Sequence, residues 1–311
     1  MGKILGVGRA RDHGDRKSNP ALPGGWEEAV SLLDRQPVVA PDVSPVEAAL
    51  RNALENDRLF LDYQPIFNAS GKVVEIEALL RSRDPLLQKA GTSEYIRVAE
   101  ESNLILAVGE RVLLMACRGM TQWHDLGVHD VTLAVNVSCM QLVTAGFARL
   151  ALALFEEHRI RPATIHMEIT ESKLARDTTS MLAEMTLLAE AGVCFSIDDF
   201  GTGYSTLERL SRLPVSTMKI DQSFVREIRS NERVFATVQG MVDLARHLGL
   251  EVIAEGVEMQ EQLELLRSAG CTKFQGYLLG RPVGAPAMTD LLIANRSVGD
   301  PEYLPPVAIG L

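Results

Sequence analysis

A chain of 311 residues, 46% hydrophobic and 23% charged, carries enough apolar material for a large core, which excludes a mainly disordered or collagen-like protein. Its formal charge of -10, from 31 Lys+Arg against 41 Asp+Glu, argues against nucleic acid or an anionic membrane as partner. The four cysteines, at 117, 139, 194 and 271, form no CxxC pair and read as reduced thiols, without a disulfide framework or zinc site. The apolar island at the start is too short for an export signal, and no uncharged run approaches a membrane span. A cytoplasmic protein is expected.

Residues 1–45 carry Gly24–Gly25, prolines at 20, 23, 37 and 41 and no sustained periodicity, so they read as an N-terminal extension or linker. The main domain is expected over 46–290, with a C-terminal tail over 291–311. Pro45 to Asp57 reads as a helix and Leu59 to Pro65 as a strand. Strand-like runs follow near 73–80, 131–138, 164–170, 193–198, 215–221, 251–256 and 272–277. Between them lie amphipathic segments such as 93–118, 175–190, 222–248 and 257–269. Strand and helix alternating this often imply an α/β fold with parallel strands, either an open doubly wound sheet or a closed barrel.

Residues two apart in a strand share a face, and this parity locates the chemistry. His166 and Glu168 oppose Ile165, Met167 and Ile169; Ser196 and Asp198 oppose Phe195 and Ile197; Lys219 opposes Met218 and Ile220. Each run has one bulky apolar face for outer helices. Its other face ends, at the C-terminal side, in a polar or charged group. Isolated charges are expensive to bury, so these groups must share one polar mouth. A parallel barrel gathers active-site groups there, which favours a TIM-like barrel over the open sheet.

The acids converging on that mouth are Glu77, Glu168, Asp198, Asp199 and Glu255, with Asn136 among them. This hard-oxygen set suits Mg²⁺ or Mn²⁺ better than zinc or copper. Adjacent aspartates can serve two ions at once, an arrangement that drives in-line displacement at phosphodiesters. Lys219 adds a fixed positive charge. The plainer alternative is a salt-bridge network that closes the barrel.

Around these acids stand Tyr63-Gln64-Pro65-Ile66, Glu77-Ala78-Leu79-Leu80-Arg81, Asn136-Val137-Ser138, Glu168-Ile169-Thr170-Glu171, Asp198-Asp199-Phe200-Gly201-Thr202-Gly203-Tyr204-Ser205, Lys219-Ile220-Asp221, Ala254-Glu255-Gly256-Val257-Glu258 and Gln275-Gly276-Tyr277. In sequence and order they resemble the EAL-domain family, phosphodiesterases that cleave cyclic di-GMP, from Val46 through Arg281-Pro282. The resemblance implies a modified TIM (β/α)8 barrel with an antiparallel first strand. It also implies hydrolysis of cyclic di-GMP to linear pGpG with two Mg²⁺ or Mn²⁺ ions, Ca²⁺ being inhibitory.

Carried over by motif, Glu77, Asn136, Glu168 and Asp198 resemble ligands of a first metal, and Asp198 and Asp199 those of a second. Lys219 resembles the lysine that contacts the attacking water. Glu255 resembles a general base or an anchor of metal-bound water. Glu171 resembles the glutamate that steadies the loop 199–205 and matters for a homodimer. Gln64, Leu79, Arg81, Asp221 and Gln275 resemble contacts to the nucleotide. Two positions depart from the family: Ser82 replaces a usual tryptophan and Asp84 a usual histidine, both expected beside the nucleotide pocket. The competing functional reading is a receptor that holds cyclic di-GMP without turnover. A third is a metal-dependent phosphodiesterase for another nucleotide. His166 and Cys194 read as core residues.

Overall fold

The computed structural model describes residues 43–171, 179–202, 210 and 212–296. The first described helix, α1 (Pro45–Glu55), starts where the Ser44 hydroxyl accepts the Glu47 amide at 3.1 Å, with proline at the first helical position. Nine strands follow among the described residues: β1 (Leu59–Asn68), β2 (Val73–Ser82), β3 (Thr132–Asn136), β4 (Ile165–Thr170), β5 (Cys194–Phe200), β6 (Thr217–Ile220), β7 (Glu251–Ala254), β8 (Lys273–Phe274) and β9 (Val283–Gly284). Between and after them run helices α2 (Pro85–Ala90), α3 (Thr92–Glu101), α4 (Ile105–Asp125), α5 (Cys139–Leu142), α6 (Phe147–Glu157), α7 (Thr179–Glu190), α8 (Gln222–Glu227), α9 (Glu232–Leu248), α10 (Gln260–Ser268) and α11 (Ala285–Arg296).

Strands β2 to β8 pair in chain order, each parallel to the next. β1 pairs antiparallel with both β2 and β8 and so closes an eight-stranded barrel. The short β9 adds to β1 at Tyr63 and Asp62. This is the modified TIM barrel, antiparallel first strand included, that the sequence implies.

The apolar core lies outside the barrel wall, beneath the helices. Ile165, Met167, Ile169, Phe195, Ile197, Met218 and Val252 are all buried there. The inward faces carry Glu75, Glu77, His166, Glu168, Ser196, Thr217, Lys219 and Gln275, also buried. The lumen is therefore filled with polar and charged groups, which have to satisfy one another.

The helical segments are more divided than the periodicity suggests. The stretch 93–118 is two helices, because the chain turns at Asn103, held left-handed at φ 60° between α3 and α4. The stretch 222–248 is also two, because the Asn231 side chain accepts the Arg233 amide at 3.1 Å and starts α9 afresh. Of the segment 175–190, residues 175–178 lie outside the described residues. Among the described residues no helix is long and apolar enough to cross a membrane.

Helix α11 runs through residue 290, the expected end of the main domain, because Met288 and Leu292, four apart on one face, are buried in the core. Leu292→Ala should therefore cost about 2–5 kcal/mol of stability, read from urea unfolding by circular dichroism. A loss below about 0.5 kcal/mol, as for a surface substitution, would mean that α11 adds nothing to the barrel.

Candidate active site

Parity along the strands delivers the acids to one end of the barrel, and register sets them side by side. Gln64 stands opposite Glu77 across the β1–β2 ladder, and Asn136 is level with Glu168 across β3–β4. At the centre is Lys219, completely buried. Its Nζ lies 2.6 Å from Glu255 Oε1, 2.9 Å from Glu168 Oε1, 3.5 Å from Asp198 Oδ1 and 3.7 Å from Glu77 Oε2.

Burial opposes the charge on Lys219, yet the four surrounding carboxylates hold its ammonium well above the ordinary lysine range. One ammonium cannot serve four acids equally. Burial drives Glu168 well above the usual carboxylate range, and Glu255 is pushed up to about 8 by the same cause. Glu77 is lowered despite its burial, by the charge of Lys219 and by hydrogen bonds from Gln275 and Asn136. Gln275 Nε2 donates to Glu77 Oε2 at 2.6 Å, and Asn136 Nδ2 to Glu77 Oε1 at 2.9 Å. Gln275 Nε2 also reaches Gln64 Oε1 at 3.1 Å.

Simple alternation would send Asp198 and Asp199 to opposite faces. A β-bulge prevents this. Ile197 pairs with Met218 and Phe200 with Ile220, so three steps on β5 match two on β6. Asp199 takes the left-handed conformation, φ 56°, which a short acidic side chain tolerates better than most. In consequence one carboxylate oxygen from each of Asp198, Asp199 and Glu255 lies within 4.8 Å of the other two. Burial, then the neighbouring Asp198 and Asp221, pushes the Asp199 carboxyl up to about 6.

Two cavities flank this cluster. One, about 300 Å³, is bounded by Leu79, Arg81, Asn136 and Glu168, with apolar walls from Ile96, Ile105 and Val112. The other, about 250 Å³, is bounded by Gln64, Glu77, Asp198, Glu255 and Gln275. It also holds Gln222, Glu258 and Tyr277, which sequence reasoning did not single out as site residues. Glu258 had a signal in its place in the Ala254-Glu255-Gly256-Val257-Glu258 motif, and so did Tyr277, in Gln275-Gly276-Tyr277. Half-exposed at the rim, it carries the Arg281 guanidinium 4.2 Å over its ring.

The remaining candidates have local partners. Arg81 Nε donates to Asp62 Oδ2 at 3.1 Å. Asp221 starts α8 by accepting the Ser223 amide at 3.0 Å. Glu171 is buried outside the cluster, and its Oε2 accepts the Gly201 amide at 2.7 Å. Gly203, Tyr204 and Ser205 of that loop lie outside the described residues. Ser82 and Asp84, expected beside the nucleotide pocket, border neither cavity. They are buried capping groups: Asp84 Oδ1 accepts the Leu86 amide at 2.9 Å, and Ser82 Oγ accepts the Asp84 amide at 3.1 Å.

The cluster fits divalent cations. Both Glu168 oxygens, Asp198 Oδ1 and Lys219 Nζ are buried without an aligned hydrogen bond, so the Lys219 contacts are bare ion pairs. Carboxyls raised by burial are short of positive charge, and an all-oxygen donor set matches a hard ion.

The EAL domain family model matches residues 47–282. The bifunctional diguanylate cyclase/cyclic di-GMP phosphodiesterase MucR of Pseudomonas aeruginosa is 41% identical over 237 residues, which are 76% of this chain and 35% of that protein. Cyclic di-GMP phosphodiesterase NbdA of the same species is 37% identical over 252 residues, 81% of this chain and 32% of that one. The chain thus spans about a third of the length of these curated relatives. The solved PaMucR phosphodiesterase in complex with c-di-GMP superposes with a TM-score of 0.74 at 40% identity, over 79% of this chain and 100% of that one.

The bulge makes a local demand that can be measured. Asp199→Asn keeps a residue tolerant of positive φ and should leave stability within about 0.5 kcal/mol of the native chain. Asp199→Val places a β-branched side chain there and should cost about 1–3 kcal/mol. Urea unfolding of both variants checks this, and equal stability would mean that β5 carries no left-handed residue.

Proposed function

The chain belongs to the EAL-domain family, and from that premise we propose that it hydrolyses one phosphodiester of cyclic di-GMP to linear pGpG with two Mg²⁺ or Mn²⁺ ions. The observation that carries the reading is the cluster of under-neutralised carboxylates between two cavities, a layout suited to a phosphodiester ring with a base on either side. Glu77, Asn136, Glu168 and Asp198 would hold one ion, and Asp198 and Asp199 the other. When bound, such a pair supplies Lewis-acid stabilisation of charge at the phosphate and an acidified water.

The chain's own groups divide the remaining work. Glu255 borders the polar cavity and, held ionised by Lys219 and the bound ions, would take the proton of the attacking water. Lys219, 2.6 Å from Glu255, orients that carboxylate and keeps a positive charge beside the reacting oxygens. Gln275 and Asn136 fix both oxygens of Glu77. Gln64, Leu79, Arg81, Asp221 and Gln275 would contact the nucleotide, Arg81 with its guanidinium turned from Asp62 towards phosphate or guanine. We read the protein as cytoplasmic, and as a homodimer through this domain.

The test is incubation of the purified chain with cyclic di-GMP and Mn²⁺ or Mg²⁺, followed by chromatography for linear pGpG. Tight binding with no product would replace this reading by the receptor. Glu77→Ala and Asp198→Ala should each lower turnover about a hundredfold or more, while cyclic di-GMP binding by calorimetry survives better. Calcium as the sole divalent ion should occupy the site without supporting turnover, because it prefers oxygen distances of about 2.3–2.6 Å over about 2.0–2.1 Å for magnesium. Full activity in Ca²⁺ would contradict the metal assignment.

Glu171→Gln offers a separate check. It weakens the acceptor that holds the Gly201 amide, two residues beyond Asp199, while leaving every group of the cluster in place. Turnover should fall about tenfold, with a weakened Mg²⁺ response or a loss of dimer, and the circular dichroism spectrum should stay native. A Mg²⁺ titration with sizing chromatography reads all three. No change in any of them would leave Glu171 without a role in the loop.

A further inference from the structure

One charged group at the barrel mouth has no part in the proposed reaction. Asp62 lies on β1 immediately before the Tyr63-Gln64-Pro65-Ile66 motif. In the β1–β2 ladder Gln64 faces Glu77, Asp62 faces Leu79 and Phe60 faces Arg81. Residues two apart share a face, so Asp62 and Arg81 stand on the lumen side, nearer the mouth than the Gln64–Glu77 pair. They are diagonal neighbours across the two strands, within reach of a long side chain. Arg81 Nε donates to Asp62 Oδ2 at 3.1 Å, and Arg81 Nη1 donates to the Leu80 carbonyl at 3.0 Å. The short β9 pairs with β1 at Asp62 itself, level with Gly284, so the backbone that carries this carboxylate is fixed.

The contact adds little to folding. The Arg81 and Asp62 side chains keep 31% and 24% of their exposure, and an ion pair so open to water is a weak support. Its place matters more. Arg81 borders the apolar-walled cavity beside Leu79, Asn136 and Glu168, where the reading above puts part of the nucleotide. A guanidinium grips phosphate best through two parallel N–H bonds from one edge. Asp62 already holds the Nε of such an edge, and the Leu80 carbonyl holds a donor of Nη1. A phosphate that takes the Nε edge must displace the carboxylate.

We propose that Asp62 is a positioning residue that sets the affinity of the site, an internal anion that holds Arg81 until a ligand phosphate takes its place. The proposal rests on the phosphodiesterase reading, which makes Arg81 a nucleotide contact. Binding then exchanges one anion for another on the same guanidinium, and the ligand gains only the difference between the two pairs. Asp62 thus weakens the hold on substrate and on product alike, and so limits retention of the linear dinucleotide.

The test is calorimetry of cyclic di-GMP with Ca²⁺ as the sole divalent ion, which by the metal assignment permits binding without turnover. Asp62→Asn keeps the side-chain shape and removes its charge, and it should tighten binding about threefold. In an Arg81→Ala chain the same change should alter affinity by less than about 1.5-fold, because the pair no longer exists to be broken. With Mn²⁺, Asp62→Asn should lower KM about threefold and leave kcat no higher, since binding shared by ground and transition states does not speed the chemistry. Unchanged or weaker binding in Asp62→Asn overturns the proposal, as Asp62 would then be inert or a support for Arg81. A tightening that persists in Arg81→Ala overturns it too, because the effect would not pass through the arginine. These outcomes leave the phosphodiesterase reading standing. Failure of the native chain to bind cyclic di-GMP at all overturns that reading, and this role of Asp62 with it.

Discussion

The structure depends on one buried ammonium. Lys219 is fully enclosed and has four carboxylates within 3.7 Å of its Nζ. Removing an ion from water costs several kcal/mol even after relaxation, so neither the lysine nor its acids could occupy the lumen alone. Lys219 makes the acidic cluster possible, yet it leaves most of the acids short of charge. That imbalance separates an active-site cluster from a structural ion pair. A network built only for stability would match its charges and align its hydrogen bonds, whereas here both Glu168 oxygens and Asp198 Oδ1 have no aligned partner.

The second constraint is the bulge at Asp198–Asp199. A regular strand places adjacent side chains on opposite faces, so two neighbouring aspartates cannot both enter a barrel mouth. One residue in the left-handed conformation breaks that alternation and brings both carboxylates beside Glu255. Such a backbone persists only where its surroundings hold it. Phe200 resumes the ladder against Ile220, and Gly201 is bound by buried Glu171, so the strained residue is clamped on its C-terminal side. Gly276 does similar work on the opposite wall, at φ 157°, where a Cβ would come within 2.2 Å of the Val257 backbone. That close approach joins the ends of β7 and β8 and keeps Gln275 aimed at Glu77.

The lumen thus has two levels with different chemistry. The upper one gathers oxygen donors around a lysine. The lower one pairs Glu75 with His166 and Lys273, with Cys194 level with His166 in the strand register. Both follow from apolar residues being spent on the outward faces of the strands, beneath the helices, where they secure the wall. The inward positions are then free to carry polar groups, provided each charge finds a counter-charge in the same layer.

Much of this was legible in the sequence, because period-two alternation is a local property. Ile165, Met167 and Ile169 against His166 and Glu168 already say which face is wall and which is lumen, and repetition over several strands says barrel. The helix breaks at Asn103 and Asn231 were harder to read, since each is decided by one residue's backbone or cap within a continuous amphipathic pattern. Tertiary structure alone decided the rest. Which acid Lys219 touches and how the bulge turns Asp199 depend on distances between segments far apart in the chain. A sequence states which groups each strand can offer; only closure of the barrel sets the separations at which their charges act, and with them the order of their proton affinities.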